Sequence, residues 1–227
     1  MKLTYFGQSG FSIEVSGKHL VFDPFISGNP LAKDKIDVNS IKADYILLSH
    51  GHGDHVADAE AIAKNTGATI ISAYEIVSWY GEKGIKGHPM NHGGQWQFDF
   101  GTVKCVNAVH SSVLPDGTYG GNPLGFVITT AEGTFYFAGD TALTWDMKLI
   151  PMTCPKLDFA ILPLGDNFTM GYKDAIIAAD FIECNNIIGC HFDTFGFIAI
   201  DHPTVEKAFE DASKKLKLPK VGESFEV

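Results

Sequence analysis

Apolar positions at the start of the chain come in short runs. Leu3 to Phe6, Phe11 to Val15 and His19 to Phe22 each have strand length, and Ser16-Gly17-Lys18 supplies the turn between the second and third. Tyr45 to Leu48 is continuously apolar and too short for a helix, which predicts a short buried strand. The same reading gives strands over 69–72, 96–100, 102–109, 124–130, 134–138, 157–162 and 186–190. Helices are predicted over 56–65, 74–80, 173–184 and 203–216, the last with Pro203 and Thr204 at its start. Residues 26–42, 87–94 and 111–123 carry glycine, proline and asparagine and read as loops, the last placed to act as a lid. Strands outnumber helices, and helices follow several of them. That suggests two packed sheets with helices outside, an α+β, four-layer αββα sandwich, although pattern alone does not separate it from a doubly wound sheet.

One stretch changes this picture from fold to chemistry. The predicted strand ending at Leu48 runs into Ser49-His50-Gly51-His52-Gly53-Asp54-His55, four potential metal ligands within six residues. Glycines at 51 and 53 let the backbone turn tightly and approach an ion. Imidazole and carboxylate suit zinc, manganese and iron, and three protein ligands per ion leave positions open for water. A lone histidine would read as a solvated loop residue; this density points to metal. Asp54 would lie near the positive N-terminus of the following helix. Asp58, further along that helix, is expected to matter little.

His-x-His-x-Asp-His after an apolar strand resembles the signature of the metallo-β-lactamase fold superfamily. Asp23-Pro24-Phe25, Gly28-Asn29-Pro30, His88-Pro89-Met90-Asn91, Gly139-Asp140-Thr141, the 165–171 segment and Gly189-Cys190-His191 narrow the resemblance to the UPF0173 (YtkL-like) metal-dependent hydrolases, over about residues 2 to 216. The resemblance implies that His110, Asp140 and His191, each after a β-rich run, complete the site. His50, His52 and His110 would then hold one divalent ion, and Asp54, His55 and His191 a second, with Asp140 bridging. The ions would be Zn²⁺ or Mn²⁺, with iron also acceptable. The implied reaction is hydrolysis of a small ester, lactone or phosphodiester by a metal-activated water, with Asp54 handling the proton.

Other positions are assigned around this centre. Asp23 is either a turn residue or a carboxylate that orients a ligating histidine. By resemblance His88 lines the pocket, whereas His92 reads as solvated. Asn167 is expected to contact substrate, and Thr169 to cap the helix that follows. Gln8 stands where such relatives commonly carry histidine, at a position that could face the pocket.

Composition bounds the rest. The 227 residues are 45% hydrophobic and 19% charged, as in a globular chain, and suffice for a single domain over 1–227. A net charge of −10 argues against nucleic-acid partners, and no run approaches a membrane span. The N-terminus lacks the apolar core of a signal peptide, and the four cysteines form no Cys-x-x-Cys pair, so the expected compartment is the cytoplasm. Three other readings compete with hydrolysis. A non-catalytic metal sensor fits poorly, because structural zinc sites are cysteine-rich and closed. An iron-dependent oxidoreductase of the flavodiiron kind would need a flavin module, and an RNA-processing nuclease an added RNA-contacting arm.

Overall fold

The structure, a computed structural model, describes residues 1–227. Its strands are β1 (Lys2–Gly7), β2 (Gly10–Val15), β3 (Lys18–Phe22), β4 (Tyr45–Leu47), β5 (Thr69–Ala73), β6 (Gly87–Met90) and β7 (Gln95–Phe98), followed by β8 (Gly101–Asn107), β9 (Leu124–Thr130), β10 (Gly133–Phe137), β11 (Phe159–Pro163), β12 (Asn186–Cys190), β13 (Lys215–Lys217) and β14 (Ser224–Glu226). The helices are α1 (Gly53–Val56), α2 (Ala59–Thr66), α3 (Tyr74–Gly81), α4 (Leu149–Thr153), α5 (Tyr172–Phe181) and α6 (His202–Asp211).

The strands form two seven-stranded sheets, ordered β14-β1-β2-β3-β4-β5-β6 and β13-β12-β11-β10-β9-β8-β7. Each is half antiparallel and half parallel: β3 through β6 run parallel in the first, β10 through β13 in the second. Side-chain alternation explains how the layers stack. Phe11, Ile13 and Val15 of β2 enter a core of 23 residues between the sheets, while Ser12 and Glu14 between them face outward. The parallel strands bury both faces. Leu47 and Ile71 point into that core, and Ile46 and Ile70 point to the other side, against Ile62 of α2 and Ile76 of α3. On the second sheet, Ala160 and Leu162 meet Ala175 and Ala178 of α5 and Phe209 of α6. The result is the αββα sandwich. At its centre Phe11 stacks on Phe22 at 4.6 Å and takes the edge of Phe137 at 5.0 Å, tying the two sheets together.

Four expectations about elements need correction. The helix predicted over 56–65 is two helices, broken at Asp58. The Asp58 carboxylate accepts from the Ile26 and Ser27 N–H groups at 2.6 and 3.0 Å and from Ser27 Oγ at 2.5 Å, so it anchors a distant loop instead of facing water. Within the 87–94 loop, Gly87–Met90 forms β6; as an edge strand paired only with β5, it tolerates Pro89. The helix predicted to Leu216 ends at Asp211, and Lys215–Lys217 joins the sheet beside β12. Strand β14 was not anticipated; it covers the open edge of β1.

Candidate metal centre

The site lies beyond the C-terminal ends of β4, β8, β10 and β12. Just past β4 the chain delivers Ser49 and His50, and His52 stands at the start of the single turn α1, which carries Asp54 and His55. His110 follows β8, Asp140 follows β10, and His191 follows β12 directly. Local backbone makes these approaches possible. Gly139 has φ +61°, and a Cβ there would fall 2.7 Å from Cβ of Ser49. At Gly165 a Cβ would fall 2.2 Å from the carbonyl oxygen of His191. His191 itself adopts φ +53°, Asp23 φ +37° and Gln8 φ +54°, left-handed conformations that cost non-glycine residues energy and that gather here around one site.

All seven sequence-predicted ligands converge. Ring nitrogens of His50, His52 and His110 lie within 4.8 Å of one another, as do ligand atoms of Asp54, His55 and His191. Asp140 Oδ2 stands between these groups, 3.0 Å from His191 Nε2, 3.2 Å from His55 Nε2, 3.6 Å from His110 Nε2 and 4.0 Å from His50 Nε2. Ligands about 2.1 Å from an ion in tetrahedral array are roughly 3.4 Å apart, so these spacings fit metal coordination. A second observation agrees. Nε2 of His55 and Oδ1 of Asp140 are buried and make no hydrogen bond. Buried polar atoms normally have partners, and a cation would partner both.

Asp23 lies directly behind these histidines. Its carboxylate accepts from the Ser49 N–H at 2.7 Å and Ser49 Oγ at 2.5 Å, and faces His55 Nδ1 at 2.8 Å. Ser49 Oγ in turn lies 2.9 Å from His50 Nδ1. One fully buried carboxylate therefore orients a histidine in each cluster, leaving both Nε2 atoms aimed inward.

The charge states follow from burial and from the pairing of imidazoles with carboxylates. Burial pushes the His50 imidazole well below the ordinary range, and the positive field of His55 adds to this. His52 and His110 are lowered for the same leading reason, which leaves neutral nitrogens. Burial would lower His55 too, but Asp140 and Asp54 outweigh it and hold this imidazole well above its usual value. Burial would raise Asp140, yet His55 and His191 keep it well below the usual carboxylate range. Asp54 is lowered likewise, with His55 outweighing burial.

A cavity of about 810 Å³ opens above the ligands. His52, Asp54, His110, Asp140 and His191 form its floor, and Phe168, Phe195 and Phe197 form its wall. Ser111 lines it and holds His52 Nε2 at 3.3 Å, while Ser112 Oγ accepts from the Gly51 N–H. The 111–123 loop is thereby pinned to the ligand turn, and it is further closed by a bridge between Val113 and Tyr119.

Four expectations fall outside this arrangement. His88 is on β6, where it packs on Trp96 at 5.0 Å and Phe98 at 4.9 Å, and it does not line the cavity. Asn167 is exposed in a turn whose next residue, Phe168, faces the cavity in its place. Thr169 donates to the Met170 carbonyl, and the helix it was expected to cap starts from Gly171 without a side-chain cap. His92 is tied down rather than solvated, 2.7 Å from the Pro123 carbonyl. Sequence reasoning missed the phenylalanine wall. Its only signal was the recurrence of aromatics in the polar, glycine-bearing segments 165–171 and 194–197.

Comparison with known proteins agrees with the geometry. Residues 2–191 match the model of a beta-lactamase superfamily domain, and the two sheets with their outer helices are the metallo-β-lactamase fold. The chain is 60% identical over 227 residues to a UPF0173 metal-dependent hydrolase of Christiangramia forsetii and 62% identical to one of Flavobacterium johnsoniae, covering 100% of each chain in both cases. It belongs to the UPF0173 family of metal-dependent hydrolases. Among solved structures it is similar to Igni18, a metallo hydrolase of the hyperthermophilic archaeon Ignicoccus hospitalis, with 32% identity, a TM-score of 0.89 and coverage of 100% of this chain and 98% of that one.

Proposed function

We propose that this chain is a binuclear metal-dependent hydrolase that cleaves a small, uncharged ester or lactone. The observation that carries the reading is the position of Asp140 Oδ2, within 3.0–4.0 Å of imidazoles from both ligand clusters. On this reading His50, His52 and His110 hold one ion and Asp54, His55 and His191 the other, with Asp140 shared. Zinc and manganese suit this imidazole–carboxylate set, and iron is compatible with it. Two such ions supply an activated water, with a pKa lowered towards ~7, and a Lewis acid for the substrate oxygen.

The chain's own residues do the rest. Asp54 borders the cavity, so it is placed to accept a proton and return it to the leaving group. Asp23 and Ser49 fix the ring orientations of His55 and His50. Phe168, Phe195 and Phe197 shed water from one side and offer apolar contact to the part of the substrate away from the reacting bond.

The lining also bears on substrate charge. No lysine reaches the cavity, and the chain contains no arginine. A phosphodiester would find no side-chain cation there, which favours the ester or lactone over it. The open, cysteine-free site favours catalysis over sensing. No helix is long and apolar enough to cross a membrane, and all four cysteines are unpaired, which supports a reducing, cytoplasmic setting and small-molecule partners.

The test is a screen of chelator-stripped and zinc- or manganese-reconstituted protein on aryl esters, aryl lactones and bis(4-nitrophenyl) phosphate. Turnover should need the metal and should favour the uncharged substrates in kcat/KM. Phe197→Ala should raise KM for them and leave kcat unchanged. Absence of turnover by fully loaded protein would favour the sensor reading.

A further inference from the structure

Gln8 is fully buried although it is a long polar residue in the turn between β1 and β2. Its Nε2 donates to Asp54 Oδ2 at 2.8 Å. Its Oε1 is buried without a partner. Its backbone carbonyl accepts from the His191 N–H at 2.8 Å and from the Tyr5 hydroxyl at 2.8 Å. One residue thus reaches Asp54 with its side chain and His191 with its main chain. Both belong to the same ligand cluster, and Gln8 makes no hydrogen bond to His50, His52 or His110.

Energetics argue against a role in stability alone. A buried amide with an unpartnered oxygen costs the fold more than an apolar side chain of the same shape would. The N–H to Asp54 has a consequence that folding does not need. Asp54 has one side to the cavity, and Gln8 Nε2 is the donor nearest to its Oδ2, with His55 Nε2 at 3.5 Å and His191 Nε2 at 3.9 Å. The amide does not ionise, so its hold on Asp54 is one of geometry alone.

We infer that Gln8 is a positioning residue for the Asp54/His55/His191 cluster, fixing the Asp54 carboxylate so that this half of the centre binds its ion. The inference rests on the proposed binuclear centre, and its test separates the two. Chelator-stripped wild type, Gln8→Met and Gln8→His are titrated with Mn²⁺ by calorimetry and melted without metal. Gln8→Met keeps the length but loses the donor, whereas Gln8→His keeps an N–H. For Gln8→Met we expect an unchanged or higher metal-free Tm, one ion bound as in wild type and the other weakened about 10- to 100-fold. Gln8→His should retain both ions, and in an Asp54→Ala background Gln8→Met should cause no further loss.

A Gln8→Met protein that melts lower and binds both ions equally weakly would show that Gln8 is structural. Unchanged binding would remove the role altogether, and Gln8→Leu takes the place of Gln8→Met if that variant does not fold. Should wild type bind only one ion, the binuclear reading fails. Gln8 is then judged on that ion: weakening by Gln8→Met upholds its role, and no effect overturns it.

Discussion

Asp23 Oδ2 lies 2.8 Å from His55 Nδ1, and neither residue has any solvent exposure. This contact leaves Nε2 as the nitrogen that His55 turns towards Asp140, and through Ser49 the same carboxylate reaches His50. Asp23→Ala should therefore weaken metal binding about 10- to 100-fold. It should also lower stability, since the buried Ser49 N–H left unsatisfied costs about 1–3 kcal/mol by itself. Metal titration paired with denaturant melts checks both effects. A stability loss with unchanged metal affinity would reduce Asp23 to a packing role.

Asp58 is expected to behave in the opposite way. Its three accepted hydrogen bonds hold the 26–27 backbone to the break between α1 and α2, away from the cavity. Asp58→Ala should cost about 1.5–3 kcal/mol, the range for hydrogen bonds to a charged group. Metal content per folded chain should stay at the wild-type value. Thermal melts with metal analysis distinguish this from a direct part in the centre.

The stability of the metal-free protein should peak near neutral pH. His50, His52 and His110 have folded pKa values below the ordinary 6.5, so below that pH the unfolded chain binds protons that the folded one refuses, and stability falls with pH. Asp54 and Asp140 are also lowered, so their contribution is present above the unfolded value of 3.8 and is lost as pH falls through their folded values. His55 has the opposite sign. Its pKa is raised, so its contribution is complete below 6.5 and is lost as pH rises through the folded value. Metal binding replaces the His55 proton, so loading should release a proton and tighten as pH rises. In a Tm series with and without chelator, the alkaline decline should appear only in the stripped protein.

Much of the centre was legible because its chemistry is concentrated. His50, His52, Asp54 and His55 are adjacent in sequence, and His110, Asp140 and His191 each follow a run that forms a strand. What sequence did not reveal depends on contacts between distant segments. Asp58 looks like any acidic residue on a helix until the unpaired N–H groups of Ile26 and Ser27, 32 and 31 positions earlier, come to meet it. His88 was placed at the site by resemblance, but the pairing of β6 with β5 carries it to the aromatic cluster at Trp96 and Phe98. Asn167 and Phe168 are neighbours in one turn, and only the turn's geometry decides which faces the cavity. Strands β13 and β14 have three residues each, too short for alternation to show.

On the proposed reading Asp140 joins two ligand clusters into one two-ion centre. The most direct measurement is metal content with electron paramagnetic resonance on manganese-reconstituted protein, for wild type and Asp140→Asn. Wild type should hold two ions per chain with the exchange-coupled spectrum of a bridged pair, and Asp140→Asn should lose the coupling and bind both ions more weakly. A wild-type content fixed near one ion per chain, or two ions with uncoupled spectra that Asp140→Asn leaves unchanged, would contradict the account.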